Sequence, residues 1–287
     1  MVEGQGSYDG HVYSYRYYKG PTSSGHAPIL FLNGAFQSMD SFQRFVRDFV
    51  SESDVLVIDL PGTGRSDPLP ASFGLTWLAD ALNDFMTEQE IAPAFVVASS
   101  YSSALAYKFA QLYSEKISAL ALYGLMASFP THMRTLLLDS IEYAKRGDTQ
   151  SLAEVCVSGM LNSNEAVYRS RATRRVLSKQ INSMSARELA QYVTNSNRLL
   201  EEDPLDLTKP PQIKTLLFTG EFDNFTMPEE VHKIASAIPQ SLFCLVRHAD
   251  HIGHLERPDV ISAILKRFRD GLLDDEPSDD WTEVTRF

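Results

Sequence analysis

An α/β fold is predicted, with a mostly parallel central sheet flanked by helices and an all-helical segment inserted between two of its strands. Three observations predict it. Short, continuously apolar runs recur along the chain, and such runs read as strands buried on both faces. Segments with helical spacing separate them, and strands alternating with helices imply a parallel sheet covered on both sides. One long interval, residues 126–207, carries several helical patterns and no strand pattern.

The elements follow in order. Residues 8–19 alternate and are rich in tyrosine and valine, which predicts one or two short strands. Residues 20–26 form a turn-rich loop, and the apolar run 28–34 stops at Gly34. Helical spacing over 42–50 follows, with Ser38 or Asp40 available as a cap. The unit then repeats: a buried strand over 54–60, a glycine-containing loop, and a helix over about 75–90. A strand over 95–99, a helix over 103–113 and a strand over 117–123 come next. After the long interval the pattern resumes with a strand over 215–219, a helix over 228–237, a strand over 242–246 and a helix over 258–272.

Within the interval, Ser151 precedes Glu154 by three residues and Ser185 precedes Glu188 likewise, which reads as two capping boxes. A helical insertion of this kind would sit over one end of the sheet as a cap. The expected organisation is a core of residues 1–125 and 208–274, a helical cap of 126–207, and a mobile acidic tail of 275–287 that contains Pro277 and few apolar residues.

Size and composition narrow the function classes. A chain of 287 residues suits one large domain carrying an insertion. Its 44% apolar and 22% charged content is ordinary for a globular protein. A net charge of −11 argues against a nucleic-acid surface and against a polybasic membrane patch. Cys156 and Cys244 match no metal-ligand spacing and read as buried free thiols. The first twenty or so residues lack a basic start followed by an apolar run, and no apolar stretch has the length of a bilayer span. A cytoplasmic location is the expectation.

The candidate nucleophile is Ser100. It stands between a buried strand and a helix, in the run Ala98, Ser99, Ser100, Tyr101, Ser102. A sharp strand-to-helix turn needs small residues two before and two after its central serine, because larger ones would strike the neighbouring strand and helix. Ala98 and Ser102 meet that need; Ser99, between Val97 and Tyr101, lacks such flanks in its own register. The Tyr101 amide, at the start of a helix, would face a developing negative charge.

A serine hydroxyl needs a base, and the base an orienting acid. The strand over 215–219 runs into Gly220, Glu221, Phe222 and Asp223. Asp223 is the candidate acid, with Glu221 the nearby alternative. After the strand over 242–246, the loop holds His248, His251 and His254. His251 is the candidate base; His254 precedes a helix start and reads as packing or capping, and His248 as a backbone contact. A zinc pair of His251 with His254, or of His248 with His251, is the rival reading, but no third ligand follows at a recognisable spacing, so no metal is expected. Asn33, Gly34 and Ala35 follow the first buried strand, and the Ala35 amide, joined by Phe36 in one variant of the turn, could pair with that of Tyr101 as an oxyanion hole. Gly62 and Gly64 belong to neither a P-loop nor a dinucleotide fingerprint.

Taken in order, the Asn33 and Gly34 loop, the Asp59, Pro61, Gly62, Gly64, Ser66 stretch, the Ser100 turn, Gly220 with Asp223, and His251 with His254, Leu255, Glu256 and Pro258 resemble the α/β-hydrolase superfamily over nearly the whole chain. Residues 32–42 also resemble a branch of bacterial enzymes that move 3-hydroxyacyl groups, such as the rhamnolipid precursor synthase and the hydroxyacyl carrier-protein transacylase. The chain departs from the superfamily's pattern in four places: Asn33 for the usual His, Ala98 and Ser102 for the elbow glycines, and Asp250 for the Gly before the histidine. Bulk at Ser102 and Ser103 could tilt the elbow, and Asp250 could raise the His251 pKa or face solvent.

The resemblance implies an acyl hydrolase working on an ester or thioester through an acyl-enzyme on Ser100, with no cofactor. Phe36, Tyr101, Met126 and Phe225 would shape an apolar acyl pocket. The alternatives are an acyltransferase moving a (3-hydroxy)acyl group from a carrier-protein or CoA thioester, and a cofactor-free lyase, cyclase or ligand receptor. The expected partner is a small-molecule or carrier-protein-bound acyl group, with no nucleic acid and no membrane insertion; the oligomeric state, a dimer included, is left open.

Overall fold

The computed structural model describes residues 1–21, 25–201, 205–273 and 280–287, without the side chain of residue 132. Part of the expected loop at 20–26 and the first residues of the expected tail therefore lie outside the described residues.

A hairpin opens the chain. Strand β1 (Val2–Tyr8) turns through Asp9 and Gly10 into β2 (His11–Tyr18). The strand pattern begins earlier than the sequence suggests, because Gly4 and Gly6 hide it. A side chain at either would meet the ring of Tyr15 or Tyr13 across the pair, so glycine makes room for two aromatic rings that enter the core. Next come β3 (Ile29–Leu32), a 3-10 turn capped by Ser38, and α1 (Gln43–Phe49). Strand β4 (Val55–Asp59), α2 (Leu75–Glu88), β5 (Ala94–Ser99), α3 (Tyr101–Leu112) and β6 (Ile117–Tyr123) follow.

Residues 126–207 hold four helices: α4 (Thr131–Arg146), α5 (Thr149–Met160), α6 (Ser170–Asn182) and α7 (Ala186–Glu201). The chain then returns through β7 (Thr215–Gly220), α8 (Pro228–Ser236), β8 (Ser241–Val246), the single turn α9 (Gly253–Glu256), α10 (Pro258–Arg269) and β9 (Thr282–Arg286).

The strands form one nine-stranded sheet in the order β1-β2-β4-β3-β5-β6-β7-β8-β9. The pairs from β4 through β8 are parallel, and the two ends are antiparallel. Side chains alternate across a strand, so each central strand feeds two cores. Ala94, Val96 and Ala98 of β5 face the core shared with α2, α3 and α8. Phe95 and Val97 face the one shared with α1 and α10, where Phe31 stacks on Phe42 at 5.2 Å. Burying each such phenylalanine or leucine contributes roughly 1.5–3 kcal/mol.

Two expectations are corrected. The end of the expected mobile tail is a strand: β9 pairs with β8 from Val246 opposite Thr282 to Leu242 opposite Arg286. Backbone bonding to an exposed sheet edge needs no apolar run, which is why a polar segment serves. And α5 is capped by Asp148, whose carboxylate accepts from the Ser151 amide at 3.0 Å, so Ser151 lies inside the helix. Ser185 and Glu188 do form a reciprocal box, at 2.7 and 3.3 Å.

The four helices build their own small core from residues such as Leu152, Ala153, Leu177, Ile181 and Tyr192, and it reaches Ile252 beside His251. Arg198 of α7 fastens them to the rest. It is fully buried and donates to the carbonyls of Leu69, Pro70 and Phe73, to Asn195 and to the Tyr101 hydroxyl. Cys156 and Cys244 are buried and outside any disulfide. No helix among the described residues is long and apolar enough to cross a membrane.

Candidate functional site

The chain leaves β5 and enters α3 through Ser100, whose φ of 53° and ψ of −116° are unusual for a residue with a Cβ. Such a conformation costs about 1–3 kcal/mol and persists only where the surroundings over-determine it. Here they do. The Ser100 amide donates to the Tyr123 carbonyl at 2.8 Å, and the Ser103 amide to the Ser100 carbonyl at 2.9 Å. The hydroxyl of Ser102 reaches the carbonyls of Leu32 and Ser99 at 3.1 and 3.2 Å, and that of Ser103 the Tyr123 carbonyl at 2.9 Å. The extra oxygens at 102 and 103 are thus absorbed by backbone acceptors, and the turn keeps its shape without glycines.

The structure brings Ser100, His251 and Asp223 into one hydrogen-bonded line. Ser100 Oγ lies 3.0 Å from His251 Nε2, and His251 Nδ1 lies 2.9 Å from Asp223 Oδ2. Asp223 follows β7 and is buried. Its Oδ1 accepts from the amides of Phe225 and Thr226 at 2.9 and 2.7 Å, and its Oδ2 from the hydroxyls of Thr219 and Thr226. Burial alone would raise this carboxyl; the imidazole and these donors outweigh it and hold it below the usual range. His251 is the mirror case. Burial disfavours its cation, but Asp223, then Asp250, raise it above its ordinary value. Gly124, at φ 64°, leaves room for the imidazole: a Cβ there would lie 3.2 Å from His251 Cε1.

The other acid and histidines point elsewhere. Glu221 accepts from the His248 amide at 2.9 Å. His248 Nδ1 faces the Ala166 carbonyl at 3.2 Å, and His254 Nε2 faces Gln37 at 3.1 Å.

Asp250 does not face solvent. It is buried behind His251, accepting from the His251 amide at 2.8 Å and from the Asn162 amide of the helical segment. Its own amide donates to Glu256 at 2.7 Å. Desolvation pushes Asp250 up to about 6 and Glu256 up to about 8. Glu256 Oε1 has no partner among the described residues, as suits a carboxyl that stays protonated. A raised folded-state pKa contributes stability that is present at low pH and lost as pH rises through the folded value. The Glu256→Gln variant is therefore expected to gain on the order of 3–4 kcal/mol relative to wild type between pH 5 and pH 8. Urea unfolding at the two pH values checks this, and parallel stability curves for the two proteins would refute it.

Ala35 follows β3, and the structure puts it with Ser100 and Tyr101 on the wall of one cavity. Among the described residues the Ala35 amide has no partner within the protein. Asn33 turns inward: its Nδ2 donates to Asp59 at 2.6 Å. Asp59 also accepts from the amides of Met39 and Arg65, both at 2.9 Å. The Asp59 to Ser66 stretch thus ties together the loops after β3 and β4.

Phe36, Tyr101, Met126 and Phe225 all line this cavity, into which Ser100 opens. Phe225 lies 4.8 Å from the His251 ring, and Phe36 stacks on Tyr192 at 5.0 Å. Helices α4, α5 and α7 supply the far wall, through residues such as Leu137, Cys156, Tyr192 and Asn195. A second cavity reaches Ser100 and His251, walled by Val176, Leu177, Ile252 and Leu255. Thr226, Tyr192, Asn195 and Arg198 escape sequence reasoning, since none stands in a motif, and Gln37 lies inside the 32–42 stretch without a role assigned to it. Only the Thr226 position, three residues past Asp223, offers a local signal.

A model of the α/β-hydrolase fold matches residues 27–258; the chain belongs to that family. Among its relatives, a lipase 3 of a Moraxella species is 23% identical, the match covering 85% of this chain and 78% of that one. An (R)-3-hydroxydecanoyl-ACP:CoA transacylase of Pseudomonas putida is 22% identical, over 89% of this chain and 85% of its own. The crystal structure of an enol-lactonase from Burkholderia xenovorans superposes with a TM-score of 0.79 at 17% identity, covering 92% of this chain and 99% of that one.

Proposed function

We propose that the protein is a serine-dependent acyl hydrolase that opens an ester or thioester through an acyl-enzyme on Ser100. The observation that carries this reading is the line from Ser100 Oγ through His251 to buried Asp223, at 3.0 and 2.9 Å, on a strained strand-to-helix turn. His251 Nε2 takes the serine proton as Oγ attacks the carbonyl carbon. The negative oxygen is received by the Ala35 and Tyr101 amides, each such donor worth about 3–4 kcal/mol in the transition state. His251 then hands its proton to the departing alkoxide or thiolate as that bond breaks. Water, deprotonated by the same imidazole, releases the acid. Asp223 holds the tautomer and stabilises the imidazolium. The acyl chain occupies the apolar cavity of Phe36, Met126 and Phe225, and residues 126–207 act as its cap. Two buried cysteines outside any disulfide suit a reducing compartment such as the cytoplasm.

Acyl transfer is the second reading. The apolar second cavity beside Ser100 gives room for an acceptor, and the transacylase relative supports it.

A fluorophosphonate probe tests the reading. Labelling is expected on Ser100 and nowhere in Ser100→Ala. An unlabelled protein whose activity survives Ser100→Ala would instead be a lyase or a cyclase, and one that binds its ligand without turnover a receptor. Assaying with and without alcohol or thiol acceptors separates hydrolysis from transfer.

A further inference from the structure

We propose that Gln37 and His254 are a positioning pair that sets the oxyanion turn against the nucleophile, an inference that rests on the acyl-hydrolase reading above. The geometry begins at Gly34. Its amide donates to Gln37 Oε1 at 2.6 Å, and the Gln37 amide donates back to the Gly34 carbonyl at 3.1 Å. The two bonds close the turn that carries Ala35. The Ser99 hydroxyl donates to the same Oε1 at 3.2 Å, which ties the turn to the residue preceding Ser100. The fit is tight: a Cβ at Gly34 would lie 2.9 Å from Gln37 Oε1 and 3.3 Å from the Ser99 carbonyl.

These donors also decide which way the Gln37 amide faces. A backbone N–H can only donate, so Oε1 must face Gly34, and Nε2 faces His254 Nε2 at 3.1 Å. An amide nitrogen donates, so His254 Nε2 accepts and its ring proton sits on Nδ1. The environment agrees: burial, and then the nearby His251, push His254 down to about 4, so it is neutral where His251 can act as a base. His254 belongs to α9, which begins two residues after His251. One side-chain amide thus links the oxyanion turn, the nucleophile's strand and the loop of the base. Gln180 of α6 holds the turn from the opposite side, donating to the Phe36 carbonyl. Neither Gln37 nor His254 bonds to Ser100 or to His251, so both act through the position of the Ala35 amide.

Gln37→Met keeps the length of the side chain and removes both its acceptor and its donor. It is expected to lower kcat about 100-fold, the cost of an ångström-scale misplacement, with KM within about 3-fold of wild type. The rate of labelling by the fluorophosphonate falls in step. His254→Leu should match it, and the double variant should lose little more than either single one, because a pair acting as a unit is not additive. His254→Gln, which restores an acceptor for the Gln37 amide, should recover most of the rate. Thermal melting identifies any variant that fails to fold; should Gln37→Met do so, the His254 pair of variants carries the test.

The proposal is overturned if Gln37→Met and His254→Leu label and turn over at the wild-type rate. It is also overturned if KM rises while kcat holds, which would make the pair part of the second cavity's binding surface. Equal impairment of His254→Gln and His254→Leu would overturn it as well, since the ring would then be mere packing. In each of these cases Ser100 of the wild type is still labelled. A wild type that takes no label removes the acyl-hydrolase reading itself, and the positioning role with it.

Discussion

Alanine at Ser100 or at His251 is expected to lower kcat on an activated ester about 10^6-fold, and alanine at both to cost little more than either alone. The reason is that the two side chains do one job. Without the imidazole 3.0 Å away, the hydroxyl keeps its proton and is a poor nucleophile; without the hydroxyl, the imidazole has nothing to activate. What survives is whatever the oxyanion donors and the cavity supply. The pH profile carries a second signature. His251 must be neutral to accept a proton, and its pKa is raised above the ordinary 6.5. Wild-type kcat/KM should therefore climb with pH through an apparent value above 6.5 and level off beyond it. Substantial turnover by Ser100→Ala, or a flat profile from about pH 5 to about pH 9, would remove the acyl-enzyme chemistry and leave the family assignment in place.

How much of this was legible in the chain varies with how local the signal is. The central strands β3 to β8 are legible because burial on both faces leaves few polar positions, and residues 117–123 read as a strand at the bounds that β6 has. Ser100 is legible because a strained turn demands small neighbours at fixed offsets. At the sheet's edges the signal fails. In β1 the inward positions Gly4 and Gly6 contribute space instead of apolar surface, and β9 needs only backbone groups to extend β8. Asp148 is hidden as a cap because Ser151 and Glu154 imitate one. Long-range partners leave no trace at all. Arg198 lies 97 positions from Tyr101, and His254 lies 217 from Gln37, so only the fold discloses that each pair meets. Asp250 shows the same limit in a single residue: the sequence places a carboxylate beside the histidine, but only packing decides that it is buried behind the ring.

Asp223→Asn is expected to lower kcat about 10^4-fold while leaving the fold and the position of the imidazole intact. The hydrogen bonds around the carboxylate say why. Oδ1 accepts from two amides, Phe225 and Thr226, so an asparagine would keep its carbonyl oxygen there and present its amide nitrogen where Oδ2 now meets His251 Nδ1. A donor at that place requires an unprotonated Nδ1, and the ring proton moves to Nε2, the atom that should take the proton of Ser100. The substitution therefore arms the base on its wrong side. It also removes the nearest negative charge, so the His251 pKa should fall and the acid limb of kcat/KM should shift to lower pH, although Asp250 remains near the ring. Glu221→Gln is the matched control. Glu221 accepts from the His248 amide and does not contact His251, so its replacement should change kcat less than about 3-fold. If Glu221→Gln proved the damaging change and Asp223→Asn the mild one, the orienting acid would be Glu221, and the line through Asp223 would owe its short distances to packing alone.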